Sequence, residues 1–513
     1  MKKTLLCWLF LSSSVAASGV PAKRERCVLT LADGHTIEAT WMGDELLHYY
    51  ESDDSREWGA ATRSHYRVDS RVALAGEVSY RNFTGRNKSG SLFIDPTDKP
   101  FDFVEWNDGH AGEKQLEEYR LNGAASYGIG RRWSIGARID FTSANYAKRR
   151  DLRHQNRLMR MTLSPGMTWM ASDKMRLGAS GIFTREVEGV AVNIAGTADT
   201  DYYTMVSYGA FYGIKQLASS LDGYLTTSSG STPLVDRRLG GSVQMDWALA
   251  DESRWFTEAT VTARDGYYGR KSLYSVVYTD HDGMDMQVRS VVRRATSATT
   301  RHQWELTAMR STLANHENLW NEVQEGGGLT RIAYYAKMQR LQRSTHDFRL
   351  AYDVDFGASA DHKAAWHVQG EAALWMRDVK ATFFPTYRKQ EVRQWRIGAN
   401  AGRHIGRRHD SFDASLGARW QWGGGTMADD GIEGGGEATT HAVSLDRYLA
   451  HEFDYLTARQ WSADVQLRYS RPMPRLGVTP YATLDYGRRQ ATSTNVIADD
   501  FHQQWTLRVG CEF

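Results

Sequence analysis

Arginines and carboxylates recur at every second position through much of this chain, and that spacing is the first feature able to do chemistry. Arg138, Arg264, Arg349, Arg419 and Arg468, with Glu258, Asp353 and Glu371, stand in segments whose alternate positions are mostly apolar. Arg160, Arg176, Arg289, Arg396, Arg508, Glu77, Asp140, Asp246, Asp355, Asp413, Asp464 and Asp485 follow the same rule. A period of two puts such residues on one face of an extended strand, so together they would line a wet, strongly charged interior. Facing arrays of opposite sign would give a transverse field and a constriction for polar solutes. Charges paired with one another would instead hold a closed, filled structure. Both readings stay open on sequence alone.

A second set of candidates lies in residues 184–237, where Tyr202, Tyr203, Tyr208 and Phe211 are concentrated. Rings of this kind can stack on sugar faces or a partner protein, since they combine apolar area with a polar edge. They also serve as ordinary loop packing. The stretch 423–436 has glycine clusters at both ends around Asp429, Asp430 and Glu433, but its spacing matches no calcium loop, so a mobile solvated loop is expected. Catalytic constellations are not found. His451-Glu452 is followed by Phe453, Asp454 and Tyr455, which breaks the zinc-protease pattern, and there is no GxSxG, no phosphate-binding glycine loop and no cysteine pair for zinc. No catalytic residue, metal or cofactor is therefore expected. With 63 basic and 61 acidic residues interspersed, a nucleic-acid partner is not expected either.

The elements that must carry these charges are strands. Between residues 503 and 513, Trp505, Leu507, Val509, Cys511 and Phe513 share one face, while Thr506, Arg508, Gly510 and Glu512 share the other. The same alternation recurs at 72–80, 119–127, 133–141, 159–169, 175–183, 239–249, 255–263, 284–292, 304–308, 348–356, 366–376, 395–401, 412–422, 461–470 and 478–486. Most segments are of the length that suits a tilted bilayer crossing. A mean hydropathy of −0.54 excludes a bundle of apolar transmembrane helices, yet a barrel needs only every second residue to be apolar. The fold class expected is an all-β, antiparallel, up-and-down transmembrane barrel of about 16 strands, with 14 or 18 as alternatives and extra hairpins placed at 201–215 or 329–339.

Connections alternate. Short turns fall at 128–131, 171–174, 250–253, 296–302, 358–363, 407–410 and 471–476, with long loops at 84–114, 184–237, 311–346 and 423–459. Outer-membrane barrels have short periplasmic turns and longer outer loops, so both termini would be periplasmic. Trp133, Trp169, Trp247, Trp255, Trp304 and Trp366 then land at the periplasmic boundary, and Trp395, Trp420, Trp422, Trp461 and Trp505 at the opposite one, as two aromatic girdles.

Lys2 and Lys3 before an apolar run and small residues predict a signal peptide over 1–22. Residues 23–68 are expected to form a short periplasmic segment with a candidate hairpin, because Asp33-Gly34 separates apolar runs. The barrel would occupy 69–513. Cys27 and Cys511 would remain after cleavage, but Cys511 shares the lipid face, which disfavours a bridge. A receptor with a separate folded plug would need more chain ahead of Val72 and about 22 strands.

The terminal strand ending on Phe513 resembles that of Gram-negative outer-membrane β-barrels, whose last strand carries the insertion signal. This resemblance implies recognition by the barrel-assembly machinery and an outer-membrane lipid environment. The LADG…GDE segment within 29–50 and Thr200-Asp201-Tyr202-Tyr203 together resemble an uncharacterised family of Bacteroidota outer-membrane barrels without an established activity. Two functions follow as expectations, passage of small polar solutes or an accessory surface barrel that partners a receptor or lipoprotein, with an outer-membrane enzyme built from barrel-rim residues as the remote alternative.

Overall fold

In the computed structural model, residues 34–513 are described apart from 44–45, 108, 110, 195–200, 219–224, 226–230, 251, 326–328, 358–363, 408–409, 435–441 and 498–499. The elements in chain order are β1 (Gly34–Gly43), β2 (Asp54–Arg67), β3 (Val72–Lys88), β4 (Asp102–Glu105), β5 (Gly112–Ile129), β6 (Trp133–Lys148), β7 (Arg153–Met170) and β8 (Met175–Asn193). They continue with β9 (Tyr203–Ser207), β10 (Tyr212–Leu217), β11 (Thr232–Ala250), β12 (Ser253–Ser272), β13 (Ser275–Ala295), β14 (Arg301–Glu325), β15 (Leu329–Phe356) and β16 (Trp366–Phe383). The last are β17 (Thr386–Arg407), β18 (Asp410–Ile432), β19 (Val443–Ser444), α1 (Asp446–Thr457), β20 (Gln460–Ser470), β21 (Thr479–Ala491) and β22 (Phe501–Glu512).

An 18-stranded antiparallel sheet closes on itself, leaving out only β4, β9, β10 and β19. Closure is made by β1 against β22, with Ile37 opposite Val509 and Glu38 opposite Arg508. Alternation sets the two faces. Leu484 opposite Leu507 and Ala482 opposite Val509 face out, while Asp485 opposite Thr506 and Thr483 opposite Arg508 face in. Leu239, Val243 and Leu416 are each more than 60% exposed on the outer wall. In water such a continuous apolar belt would drive aggregation, whereas in lipid it is the favourable surface.

Aromatic pairs bound the belt. Trp133 stacks on Trp169 at 5.7 Å and Trp304 on Tyr352 at 5.4 Å at the end that carries both described termini, here the terminal end. At the opposite, cap end, Tyr486 meets Trp505 at 4.4 Å and Tyr80 meets Trp58 and Tyr119 at 5.0 and 4.9 Å. Neither β14, with 25 residues, nor β15, with 28, needs that length for a crossing; both run well past the belt at the cap end.

Several expectations are corrected. The wall begins at residue 34, not 69: β1 and β2 supply the two additional strands, and the segment expected to lie free beside the membrane is barrel wall. Outward positions of β2 include Ala60, Thr62 and Ser64, whose small or hydroxyl side chains weaken the apolar signal. Residues 203–217 do form a hairpin, but inside the barrel, and 329–339 extend β15. The loop expected at 311–346 is mostly the β14–β15 hairpin. The stretch expected to be mobile from 423 is strand as far as Ile432, paired with β17, and Arg388 holds Asp430 at 2.7 Å. Cys511 is a free thiol; Cys27 and residues 1–33, including the expected signal peptide, lie outside the described residues.

Candidate functional site

The wall charges singled out by sequence are paired with near neighbours. Arg138 binds Asp140 at 2.6 Å; Glu371 receives Arg349 at 2.7 Å and Arg419 at 3.0 Å; Arg468 pairs with Glu512. Glu258 accepts from Gln244 at 2.8 Å, and Asp353 stands 3.8 Å from His367, which also meets Asp355 at 2.7 Å. Arg264 is shared between Asp236 and Asp98. Opposite charges therefore pair within one strand, as Arg138–Asp140, between neighbours, as Arg349–Glu371, or across one intervening strand, as Arg419–Glu371. Local pairing of this kind cancels the transverse field that separated arrays would create, so these residues act mainly as wall ladders.

At the cap end the lumen is filled by the chain's own connections. Segments 89–107, 201–218 and 442–457 turn inward, and β4, β9, β10 and β19 form a 4-stranded sheet in the order β19-β10-β9-β4. Leu92, Phe93, Phe101, Phe103, Val206 and Tyr208 of this cap are buried against Leu234, Tyr268, Leu313, Leu341, Val379 and Phe383 of the wall. One face of α1 lays Tyr448 and Leu449 on Val104, Met205 and Phe211. The predicted loop aromatics are found here. Tyr202, Tyr208 and Phe211 are buried in the cap, and Tyr203 takes Lys215 over its ring at 4.1 Å.

Buried ion pairs tie the cap to the wall at several points. Lys99 reaches Glu186 at 2.5 Å and Glu188 at 2.8 Å on β8; Glu105 joins Lys114 at 3.2 Å on β5 and Lys148 on β6. Asp98 meets Arg264 at 3.0 Å on β12 and Arg238 on β11, and Glu452 of α1 meets Arg377 at 2.8 Å on β16. Burial alone would lower the Lys99 ammonium, but Glu188 and Glu186 outweigh it and hold the group above its ordinary range. Burial would likewise raise Glu452, yet Arg377 keeps it below the usual carboxylate value.

Between the underside of the cap and strands β15 and β16 lies a small cleft that, counted together with the open solvent it adjoins, comprises about 530 Å³ of non-atom space. Tyr49, Lys99, Asp102, Ser207, Tyr208, Phe211, Arg343, Arg377 and Glu452 are among its walls. Asp102 accepts from Tyr49 at 2.9 Å and Ser91 at 2.5 Å; burial raises its carboxyl to about 7 against those hydrogen bonds. The β9–β10 turn approaches the wall closely. Gly209 has φ +120°, and a Cβ there would stand 2.5 Å from Val379 Cγ1. Ala210 and Phe211 also adopt positive φ, at 48° and 49°, a costly conformation for non-glycine residues. Leu341 and Val379 of the wall, both buried, also line the space.

Sequence reasoning missed Arg343, Lys99, Asp102 and Glu452. Arg343 fell in a segment read as loop, and the others belong to cap segments whose placement depends on tertiary packing. Among the described residues no group of three or more metal-ligating side chains is present.

The model of a family of unknown function, DUF6850, matches residues 36–513. No curated protein matches the chain. Among solved structures it is similar to the outer membrane transporter YddB from Escherichia coli, at 8% identity over 94% of this chain and 81% of that one, with a TM-score of 0.41. It is also similar to the ferric-catecholate import receptor Fiu from E. coli K12 in its open form (7%, 95% and 82%, 0.39) and to the FrpB iron transporter from Neisseria meningitidis, F5-1 variant apoprotein (8%, 93% and 81%, 0.38). Likeness this distant does not bear on cargo.

Proposed function

The chain belongs to the family of unknown function DUF6850, and we propose that it is an outer-membrane barrel for uptake of a small polar solute, closed at rest by its own cap. In this reading both described termini face the periplasm and the cap faces outward. The affinity with Bacteroidota barrels suggested by the 29–50 and 200–203 motifs belongs to the same proposal. One observation carries it: segments of the chain's own connections pack into one end of the barrel with their side chains buried against the wall, over a cleft with polar lining. That arrangement fits a gated route and disfavours a permanently open diffusion pore.

An accessory role has its own support. Leu273, Tyr274, Tyr334 and Tyr335 are exposed near the tips of the β12–β13 and β14–β15 hairpins, past the aromatic belt, where a receptor or lipoprotein could dock.

Proteoliposome swelling separates these readings. Intact protein should pass little sugar or amino acid, and replacing 203–217 with a short Gly-Ser linker should open passage. Free swelling with intact protein would contradict closure, and an impermeable but folded deletion variant would favour the accessory role.

A further inference from the structure

We propose that the cleft beneath the cap binds the carboxylate of a small organic acid, with Arg343 as its counter-ion. The inference deepens the uptake reading and rests on it for its biological sense.

The charge inventory of the cleft is uneven. Arg377 makes a two-pronged contact with Glu452, at 3.2 and 2.8 Å, and Lys99 is taken by Glu186 and Glu188. Asp98, the carboxylate that acts most strongly on Arg343, is itself committed to Arg264 and Arg238. Arg343 lines the cleft and, among the described residues, makes no ion pair of its own. A part-buried guanidinium without an ion pair is free to take an anionic ligand, and its planar fork suits the two oxygens of a carboxylate.

Neighbouring groups complete the chemistry. Ser207 Oγ accepts from the Gly209 amide at 3.4 Å, which leaves its hydroxyl proton to donate into the cleft. Phe101, Tyr208 and Phe211 supply ring surface for the body of the acid. The turn that presents Ser207 and Phe211 is strained at Ala210 and Phe211, and such strain persists where surrounding structure fixes a working geometry. Because Arg343 is the uncommitted cation among the described lining residues, the site matches one negative charge. A phosphate dianion would bring a second charge with nothing to meet it.

The test uses the folded full-length protein in detergent and 4-fluorobenzoate observed by fluorine NMR. Broadening by the wild type is expected for 4-fluorobenzoate and not for neutral 4-fluorobenzamide. Arg343→Gln should weaken binding by about tenfold or more, the scale of one charge-assisted pair, and Arg343→Lys should restore part of it. Equal binding of the amide, unchanged affinity in Arg343→Gln, or displacement by inorganic phosphate at lower concentration than by benzoate would each overturn the proposal. If Arg343→Gln fails to fold, the comparison of acid with amide on the wild type decides. Binding is read without membrane passage, so a failed swelling assay with intact binding would count against the uptake reading alone.

Discussion

Lys99 shows how single residues hold the cap. Its ammonium lies buried between Glu186 and Glu188; Arg160 also reaches Glu186, at 2.5 Å, whereas Lys99 is the cation paired with Glu188. Lys99→Met should therefore leave Glu188 as an uncompensated buried charge and loosen residues 89–107 by about 3–5 kcal/mol. The exposed pair Arg237–Asp265 is the contrast, and Arg237→Gln should cost about 0–1 kcal/mol. Limited proteolysis of the folded protein reads both; equal effects would contradict the latch. Asp102 makes a pH prediction. Its folded carboxyl is raised to about 7 from 3.8, so the native state holds the proton longer than the unfolded chain. The stability it contributes is full below about 4 and is lost as pH rises towards 7. Burial lowers the nearby His48 and gives the opposite slope around pH 6.5, so the informative quantity is the difference between wild type and Asp102→Asn. That difference should fall steadily from pH 4 to pH 7 in thermal melts, and a flat difference would remove Asp102 from the account.

At the scale of elements, the β9–β10 turn and the lipid-facing strands make contrasting predictions. Gly209→Ala forces a Cβ against Val379 at a positive φ and should cost about 1–3 kcal/mol, while Gly370→Ala, with nothing within 4 Å of the new Cβ, should change stability by less than about 0.5 kcal/mol. On the outer wall, Leu416→Arg should cost about 2–4 kcal/mol in lipid refolding titrations. Strands of this outer wall were legible wherever bulky apolar residues alternate with charges, as in β18, β20 and β22. β1 and β2 were not, because Ala60, Thr62 and Ser64 give the lipid face little hydrophobic contrast. The outer halves of β14 and β15 were hidden for a related reason: past the membrane both faces meet water or cap, and Gln339-Arg340-Leu341-Gln342-Arg343 carries polar residues on each. The cap was illegible in principle from periodicity, since β4 and β9 are short and buried on both faces. Tyr202, Tyr203, Tyr208 and Phe211 in and around β9 could be flagged as candidates, but whether they met a ligand or one another depended on where three distant loops converge.

Among the described residues the molecule is a lipid-facing wall with a cap packed into one end of its lumen. Paired charges along the inner wall stabilise strand pairing, while Arg343 in the cleft below the cap makes no ion pair among the described residues. Hydrophobic burial within the cap and ion pairs around its rim both oppose opening, so passage of a solute requires a displaced cap and an energy source or ligand able to displace it. Single-channel conductance of the intact protein in a planar bilayer, beside the variant lacking 203–217, tests this most directly. The account predicts a silent intact barrel and steady openings from the deletion variant; steady ohmic openings from the intact protein would contradict it.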